Sequence, residues 1–227
     1  MTPADRTSVG TIGIIGAGKS GIALTRQALA AGYQVRIATS GPAERTALVA
    51  EVLTPGAVAV DADRLADLVE LVILAVPLRR LHDLPLASFA GRIVVDVMNY
   101  WPPVDGRIAE FETDSRPSSA LVQDALPATT RLVKTFNHIG YHEIEELAGP
   151  AGSPDRVALA IAGDDADAVA VVAKVVDALG FDAVLTGQLL SSTAFQPGSP
   201  AFGADLSRDA LKEILLDQTP QAAISAL

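Results

Sequence analysis

"TIGIIGAGKSG", residues 11–21, admits two opposite readings. Counted from Gly16 it is G-x-G-x-x-G, the dinucleotide fingerprint. Counted from Gly13 it is G-x-x-x-x-G-K-S, the phosphate-loop pattern of nucleotide hydrolases, ending at Lys19 and Ser20. The hydrolase reading needs a strand that ends before Gly13. That strand would be "RTSVGTI", with Gly10 inside it, and Ile14 and Ile15 would fall in a loop wrapped round phosphates. In the dinucleotide reading Ile12, Ile14 and Ile15 are strand residues and the turn begins at Gly16. Gly16 then permits the tight turn, Gly18 lets backbone approach a pyrophosphate, and Gly21 lets the helix pack on the strand. Ala17, Lys19 and Ser20 complete the turn and the helix start, whose amides face the phosphates. "IVVD", ending at Asp96, imitates the magnesium-binding motif of hydrolases, but four apolar residues and an Asp recur by chance. The dinucleotide reading is preferred.

The surrounding pattern agrees with it. Strand-like apolar runs alternate with helix-like stretches from residue 11 to about residue 187, which predicts an α/β, doubly wound, mostly parallel Rossmann sheet. "LVILAV" and "RIVVDV" are apolar throughout, as strands buried on both faces require. "DDADAVAVVAKVVDALG" predicts a helix with Val169, Val172, Val176 and Leu179 on one face, acids at its start and Gly180 at its end. After Gly187 the texture becomes Gly/Pro/Ser-rich and then helical. The expected organisation is a Rossmann domain over 9–187 and a C-terminal extension over 188–227, serving as a lid or a dimer contact. Residues 1–8 and the last several residues are expected to be loose.

The 227 residues are 49% hydrophobic, enough for a large core, and carry a formal charge of -10. That balance argues against nucleic acid or an anionic membrane as partner. The start "MTPADRTSVG" shows no secretion signal, and no apolar run is long enough to cross a bilayer, so a cytoplasmic protein is expected. There is no Cys.

At the end of the second predicted strand, "ATSGPAER", the carboxylate that binds the NAD ribose is missing. Thr39 and Ser40 offer hydroxyls and Arg45 a cation, which favours NADP. The C-terminal ends of parallel strands hold the ligand in such folds. They nominate Ala75, Val76 and Pro77, then Met98 and Asn99, then Asn137 and His138. Asn99, Asn137 and His138 are candidates near a hydride-transfer site, with structural roles as turn amides or as a satisfied surface histidine the competing account. Arg79 and Arg80 follow the fourth strand and are placed to attract a phosphate or an acidic substrate. Tyr100 and Trp101, stiffened by Pro102 and Pro103, are candidates for the wall of a ring pocket. His138 and His142 have metal-pair spacing beside Glu143, but Gly140 weakens a helix there, so no metal is expected.

"TIGIIGAGKSGIAL", "LVILAVP", "IVVDVMN" and "LVKTFNHI", in this order, resemble the coenzyme F-420-dependent NADP oxidoreductase family. This family contains the reduced-deazaflavin:NADP oxidoreductases. "DVMN" and "VKTFN" are also similar to the reductase domains of six-transmembrane metalloreductases. The resemblance covers roughly residues 9–187. It implies NADP(H) bound at Gly16–Gly21 and Ser40, and hydride exchange with coenzyme F-420 or a flavin such as FMN or FAD. It also implies a homodimer joined through the extension. The arginine that often follows the family's serine is Gly41 here, leaving its role to Arg45. Two other functions fit a dinucleotide site. One is an NADP-dependent dehydrogenase of small hydroxy or imino acids, for which Lys212 is the sole lysine after the Rossmann core. The other is a non-catalytic NADP sensor.

Overall fold

Strand β1 (Thr11–Ile15) runs straight into the glycine turn and helix α1 (Lys19–Ala30). The computed structural model describes residues 9–217, so the expectation of looseness at residues 1–8 and at the last residues lies outside it. The chain continues through β2 (Gln34–Ala38), α2 (Ala43–Leu53), β3 (Val58–Ala59), α3 (Ala62–Leu65), β4 (Leu71–Leu74) and β5 (Ile93–Asp96). Two short helices, α4 (Pro102–Asp105) and α5 (Ala109–Thr113), precede α6 (Ser118–Ala125) and β6 (Arg131–Lys134). Then come α7 (Glu143–Glu146), β7 (Ala158–Gly163), α8 (Ala166–Ala178), β8 (Asp182–Gly187) and α9 (Arg208–Asp217).

The strands form one eight-stranded sheet in the order β3-β2-β1-β4-β5-β6-β7-β8. Strands β1 to β6 are parallel, as a doubly wound sheet predicts. Every residue of β4 and β5 is buried. Their side chains alternate between two cores, Leu71, Ile73, Ile93 and Val95 on one face, Val72, Leu74 and Val94 on the other. The period of two along each strand divides one apolar run between both faces.

Gly13 lies inside β1, paired with Arg36 and Val72. A Cβ there would stand 2.4 Å from Leu65 Cδ2. Its role is to admit α3 close to the sheet, which removes the hydrolase reading of the opening motif. Asp96 is equally unavailable to a metal ion, being fully buried and bonded to Lys134.

Helix α8 follows its local signals. Asp165 caps it by accepting from the Ala168 amide at 2.7 Å, and Gly180 ends it at φ +99°. Its buried face is wider than the predicted stripe and includes Val171 and Val175. Strand β7 departs from the parallel pattern. It runs antiparallel to β6 over two rungs only, and β8 then runs parallel to β7. Its small side chains, Ala158, Ala160 and Ala162, share one face, where Phe195, Ala201 and Leu211 of the C-terminal segment cover them. Small residues on that face let the segment lie close to the backbone. A buried hydroxyl pair, Ser119 with Ser192 at 2.7 Å, joins it to α6.

One ion pair sits wholly inside this architecture. Asp96 and Lys134 are register partners on β5 and β6, and both side chains are 1% exposed. Lys134 Nζ donates to Asp96 Oδ2 at 3.0 Å and to the Met98 carbonyl. Asp96 Oδ1 accepts from the Met98 amide at 2.9 Å. The pair therefore holds both polar backbone groups of Met98. Burial pushes the Lys134 pKa down, against the pull of Asp96. Removing one partner strands a charge in the core, which costs about 3–5 kcal/mol. Asp96→Asn is expected to lower the unfolding free energy by that amount, read from urea denaturation.

Candidate active site

The cleft opens at the C-terminal ends of β1, β2, β4 and β5, where a doubly wound sheet binds its ligand. Its floor is the glycine turn. Gly16 has φ +121°, and a Cβ on it would lie 2.2 Å from the Ala75 carbonyl oxygen. A Cβ on Gly21 would lie 1.9 Å from the Gly16 carbonyl oxygen. A Cβ on Gly18 would meet nothing within 4 Å. The first two glycines are therefore demanded by the protein's own packing. Gly18 is demanded by nothing in the chain, and the open space above it is where a ligand would approach. Gly18 begins α1 with no side-chain cap, and the first turn holds no acid. The helix thus presents uncapped amides and its positive end to the cleft, which suits a diphosphate.

Two compartments meet at Gly18, Ala75, Val76 and Pro77. The first, about 440 Å³, is lined by Gly16, Ala17, Thr39, Ser40, Arg79 and Arg80 among others. The second, about 650 Å³, is lined by Lys19, Ser20, Met98, Asn99, Trp101, Tyr141 and Phe202 among others.

Most of the nominated residues converge here, with particular changes. Thr39 lines the first compartment, but its hydroxyl is engaged with Thr46 at 2.8 Å and holds the turn. Ser40 is exposed beside it. Arg45 does not line the compartment. Its Cδ lies 3.7 Å from the position of a Cβ on Gly41, the residue after Ser40. The cations that line it are Arg79 and Arg80. Arg79 is anchored to the Val104 carbonyl at 2.9 Å, and Arg80 pairs with Asp83 at 2.9 Å.

In the second compartment Asn99 is fixed by a reciprocal amide pair. Its Nδ2 donates to the Asn137 carbonyl at 2.6 Å, and its Oδ1 accepts from Asn137 Nδ2 at 3.1 Å. Asn137 also donates to the Phe195 carbonyl at 3.0 Å. Asn137 and His138 do not line the cleft; they stand behind Asn99. Phe136, at φ +59°, turns the chain out of line with β6 just before them. That conformation is costly for a bulky residue and persists only where the surroundings impose it.

The surface histidine expected at 138 is instead 3% exposed. Its Nε2 accepts from the Ala160 amide at 3.0 Å, which continues the β6–β7 ladder with a side chain. That bond assigns the proton to Nδ1, which faces Asn137 Oδ1 at 3.4 Å. His138 therefore serves as a structural pin. No group of three or more metal-ligating side chains is placed to hold a metal among the described residues.

Tyr100 does not wall the pocket. It stacks on Phe111 at 5.4 Å and bonds the Ile108 amide. Trp101 does line it, stacked at 6.4 Å and 16° on Phe202 from the C-terminal segment. Phe202 lies in the extension expected as a lid or a dimer contact, but no local pattern singles it out. Tyr141 also lines the compartment; its hydroxyl accepts from Lys19 Nζ at 2.9 Å, with the ammonium 4.8 Å from the ring centroid. No local pattern marks Tyr141.

This geometry defines a dinucleotide-binding Rossmann protein. Residues 11–100 match the family model described as "NADP oxidoreductase coenzyme F420-dependent", which bears out the resemblance for that part of the chain. The matched residues include all of those lining the first compartment. Among solved structures, a hypothetical protein of Sinorhizobium meliloti is 29% identical, with a TM-score of 0.74, over 88% of this chain and 96% of its own. A protein of Arthrobacter sp. FB24, provisionally named an F-420-dependent NADP-reductase, shares the fold at 20% identity and a TM-score of 0.64, over 82% of this chain and 87% of its own. The YjhV protein of Escherichia coli (strain K12) is 41% identical over 56 residues, which is 25% of this chain and 41% of that relative's length.

The glycine geometry separates binding from folding. Gly18→Ala, at φ -79°, is expected to fold normally and to weaken NADP binding on the order of tenfold, or about 1.4 kcal/mol. Gly21→Ala is expected to lose the fold around the turn. Titration calorimetry and thermal unfolding on both variants check this.

His138 makes a pH prediction. Burial, and then the Lys134 ammonium, push its pKa from 6.5 down to about 3. Its folded-state pKa lies below the unfolded one. Its contribution to stability is therefore complete above about pH 6.5 and is lost as pH falls toward about 3. The slope from this one group approaches about 1.4 kcal/mol per pH unit. His138→Gln, whose Oε1 can still accept from Ala160, is expected to flatten the dependence of the urea midpoint across that window.

Proposed function

We propose that this protein transfers hydride between NADP(H) and a deazaflavin or flavin ring held in the second compartment. The observation that carries this reading is the division of one cleft into two chemically different halves that meet over Gly18. The phosphate turn, Ser40, Arg79 and Arg80 form the half suited to the phosphates of the cofactor. The carboxylate that would bind an NAD ribose is missing from the end of β2, and the acids nearby are engaged, Asp61 with the Ala43 amide and Asp83 with Arg80. The other half is walled by aromatic and aliphatic side chains and suits two flat rings in contact.

Bound NADPH would supply the hydride from its nicotinamide carbon. The chain's own groups bind and orient. The amides from Gly16 to Gly21 face the diphosphate. Val76 and Pro77 back the junction of the compartments. Asn99 presents a fixed amide to the second compartment, suited to a carboxamide, and Asn137 holds Asn99 in that pose. Trp101, Phe202 and Tyr141 exclude water from the reacting faces. Positioning and desolvation supply most of such a reaction, so no acid–base dyad is required. Lys212, the lysine a dehydrogenase reading would need, lines a groove between β8 and α9 and neither compartment of the cleft.

Steady-state NADPH oxidation with a panel of acceptors tests the reading. Turnover is expected with a flavin or deazaflavin and not with hydroxy or imino acids. Rapid turnover with an imino acid alone would overturn it. Asn99→Ala is expected to lower kcat roughly tenfold to a hundredfold with little change in the KM for NADPH, since it loosens orientation rather than cofactor binding.

A further inference from the structure

Asp105 divides its carboxylate between two loops. It lines the second compartment yet is only 8% exposed. Its Oδ1 accepts from the Arg79 amide at 3.2 Å, and its Oδ2 from the Trp101 amide at 2.8 Å. Arg79 belongs to the loop after β4 and lines the first compartment. Trp101 belongs to the loop after β5 and lines the second. A carboxylate makes stronger bonds to such amides than a neutral acceptor does.

The bonds around Asp105 make residues 101–105 one stiff piece. The Trp101 carbonyl accepts from the Val104 and Asp105 amides, each at 2.8 Å, while its amide donates to the Asp105 side chain. Pro102 and Pro103 fix two of the φ angles in between. This piece is fastened to Arg79 a second time, by Nη1 of the guanidinium on the Val104 carbonyl at 2.9 Å. Its other end is the Trp101 ring, stacked on Phe202 at 6.4 Å. Arg79 and Trp101 therefore cannot shift apart without giving up a bond held by Asp105 or Val104. A guanidinium carries its donors in a fixed fork, so Arg79 can keep the Val104 carbonyl and still meet a phosphate in the first compartment.

We propose that Asp105 is a positioning residue that couples the two compartments: a nucleotide held by Arg79 fixes the pose of Trp101. The inference rests on the nucleotide-binding half of the reading above and needs neither a flavin nor hydride transfer. Its consequence is an order of events. Once the nucleotide is in place, a ligand of the second compartment meets a wall already set, which removes part of the ordering cost of its binding. By linkage, that ligand strengthens nucleotide binding by the same factor.

Trp101 is the sole tryptophan of the chain, so tryptophan fluorescence reports this one position. Adenosine 2′,5′-bisphosphate is the probe, because it carries the phosphates and has no nicotinamide to touch the indole. Calorimetry measures its binding, and acrylamide quenching measures access to Trp101. In the unaltered protein the quenching constant is expected to fall about twofold as Trp101 is restrained, saturating with the calorimetric Kd. Asp105→Asn offers one acceptor oxygen where two are used, so it can hold either loop but not both. It is expected to bind the probe within about fivefold of the unaltered protein, the cost of one hydrogen bond, and to lose most of the fall in quenching. Arg79→Met keeps the backbone amide that Asp105 holds but removes the guanidinium. Saturating probe is expected to leave its quenching unchanged. Binding to the unaltered protein with no change in quenching would overturn the inference and leave the nucleotide reading standing. A full response in Asp105→Asn or in Arg79→Met would overturn it as well. No binding of the probe by calorimetry would overturn the nucleotide reading and the inference with it.

Discussion

Three backbone segments meet at one point in this protein, and most of the cleft follows from how closely they meet. The carbonyl oxygens of Gly16 and Ala75 fill the space that side chains on Gly21 and Gly16 would need. The end of β1, the start of α1 and the end of β4 are thus in direct backbone contact. That contact aims the first turn of α1 along the cleft and leaves Gly18 facing open space. It also makes Ala75, Val76 and Pro77 the shared boundary of both compartments. A side chain at either glycine would separate the strands from the helix, and the two halves of the cleft would lose their common edge.

The second compartment is held from behind by a chain of polar groups of which only Asn99 reaches it. The Asp96–Lys134 pair binds both the amide and the carbonyl of Met98. One residue further on, Asn99 is locked to Asn137, and Asn137 to the Phe195 carbonyl. His138 then ties this segment to β7 through the Ala160 amide, and its own carbonyl accepts from Gly203 at 2.8 Å. A continuous set of hydrogen bonds therefore runs from the core of the sheet to the C-terminal segment that supplies Phe202. Buried polar groups of this kind are stabilising only while each is satisfied, so they specify one arrangement of the site rather than adding much net stability.

Much of the first half of the site was legible in the chain. The glycine spacing, the apolar run before it and the helix after it are local, and the structure keeps them where the pattern placed them. The C-terminal ends of β4 and β5 delivered Ala75–Pro77, Met98 and Asn99 for the same reason. What the chain did not show has a different cause. Arg45 and Arg79 are equally plausible cations in one dimension, and only the path of the loop after β4 puts Arg79 and Arg80 in the compartment. Tyr100 and Trp101 are adjacent, yet one packs on Phe111 and the other on Phe202. His138 looked like a surface residue because nothing in its neighbours shows that β7 passes beside it.

The sequence by itself determined the parallel strands from β1 to β6, the phosphate turn and helix α8, because each is encoded by periodicity, glycine or capping within a few residues. Tertiary structure alone decided the reversed direction of β7, the burial of His138 and the aromatic wall joining Trp101, Tyr141 and Phe202. Those features depend on which distant segments meet, and a two-rung pairing between β6 and β7 leaves too little local pattern to foretell it. The C-terminal segment packs on the alanine face of β7, where small side chains allow the close approach that larger ones would forbid.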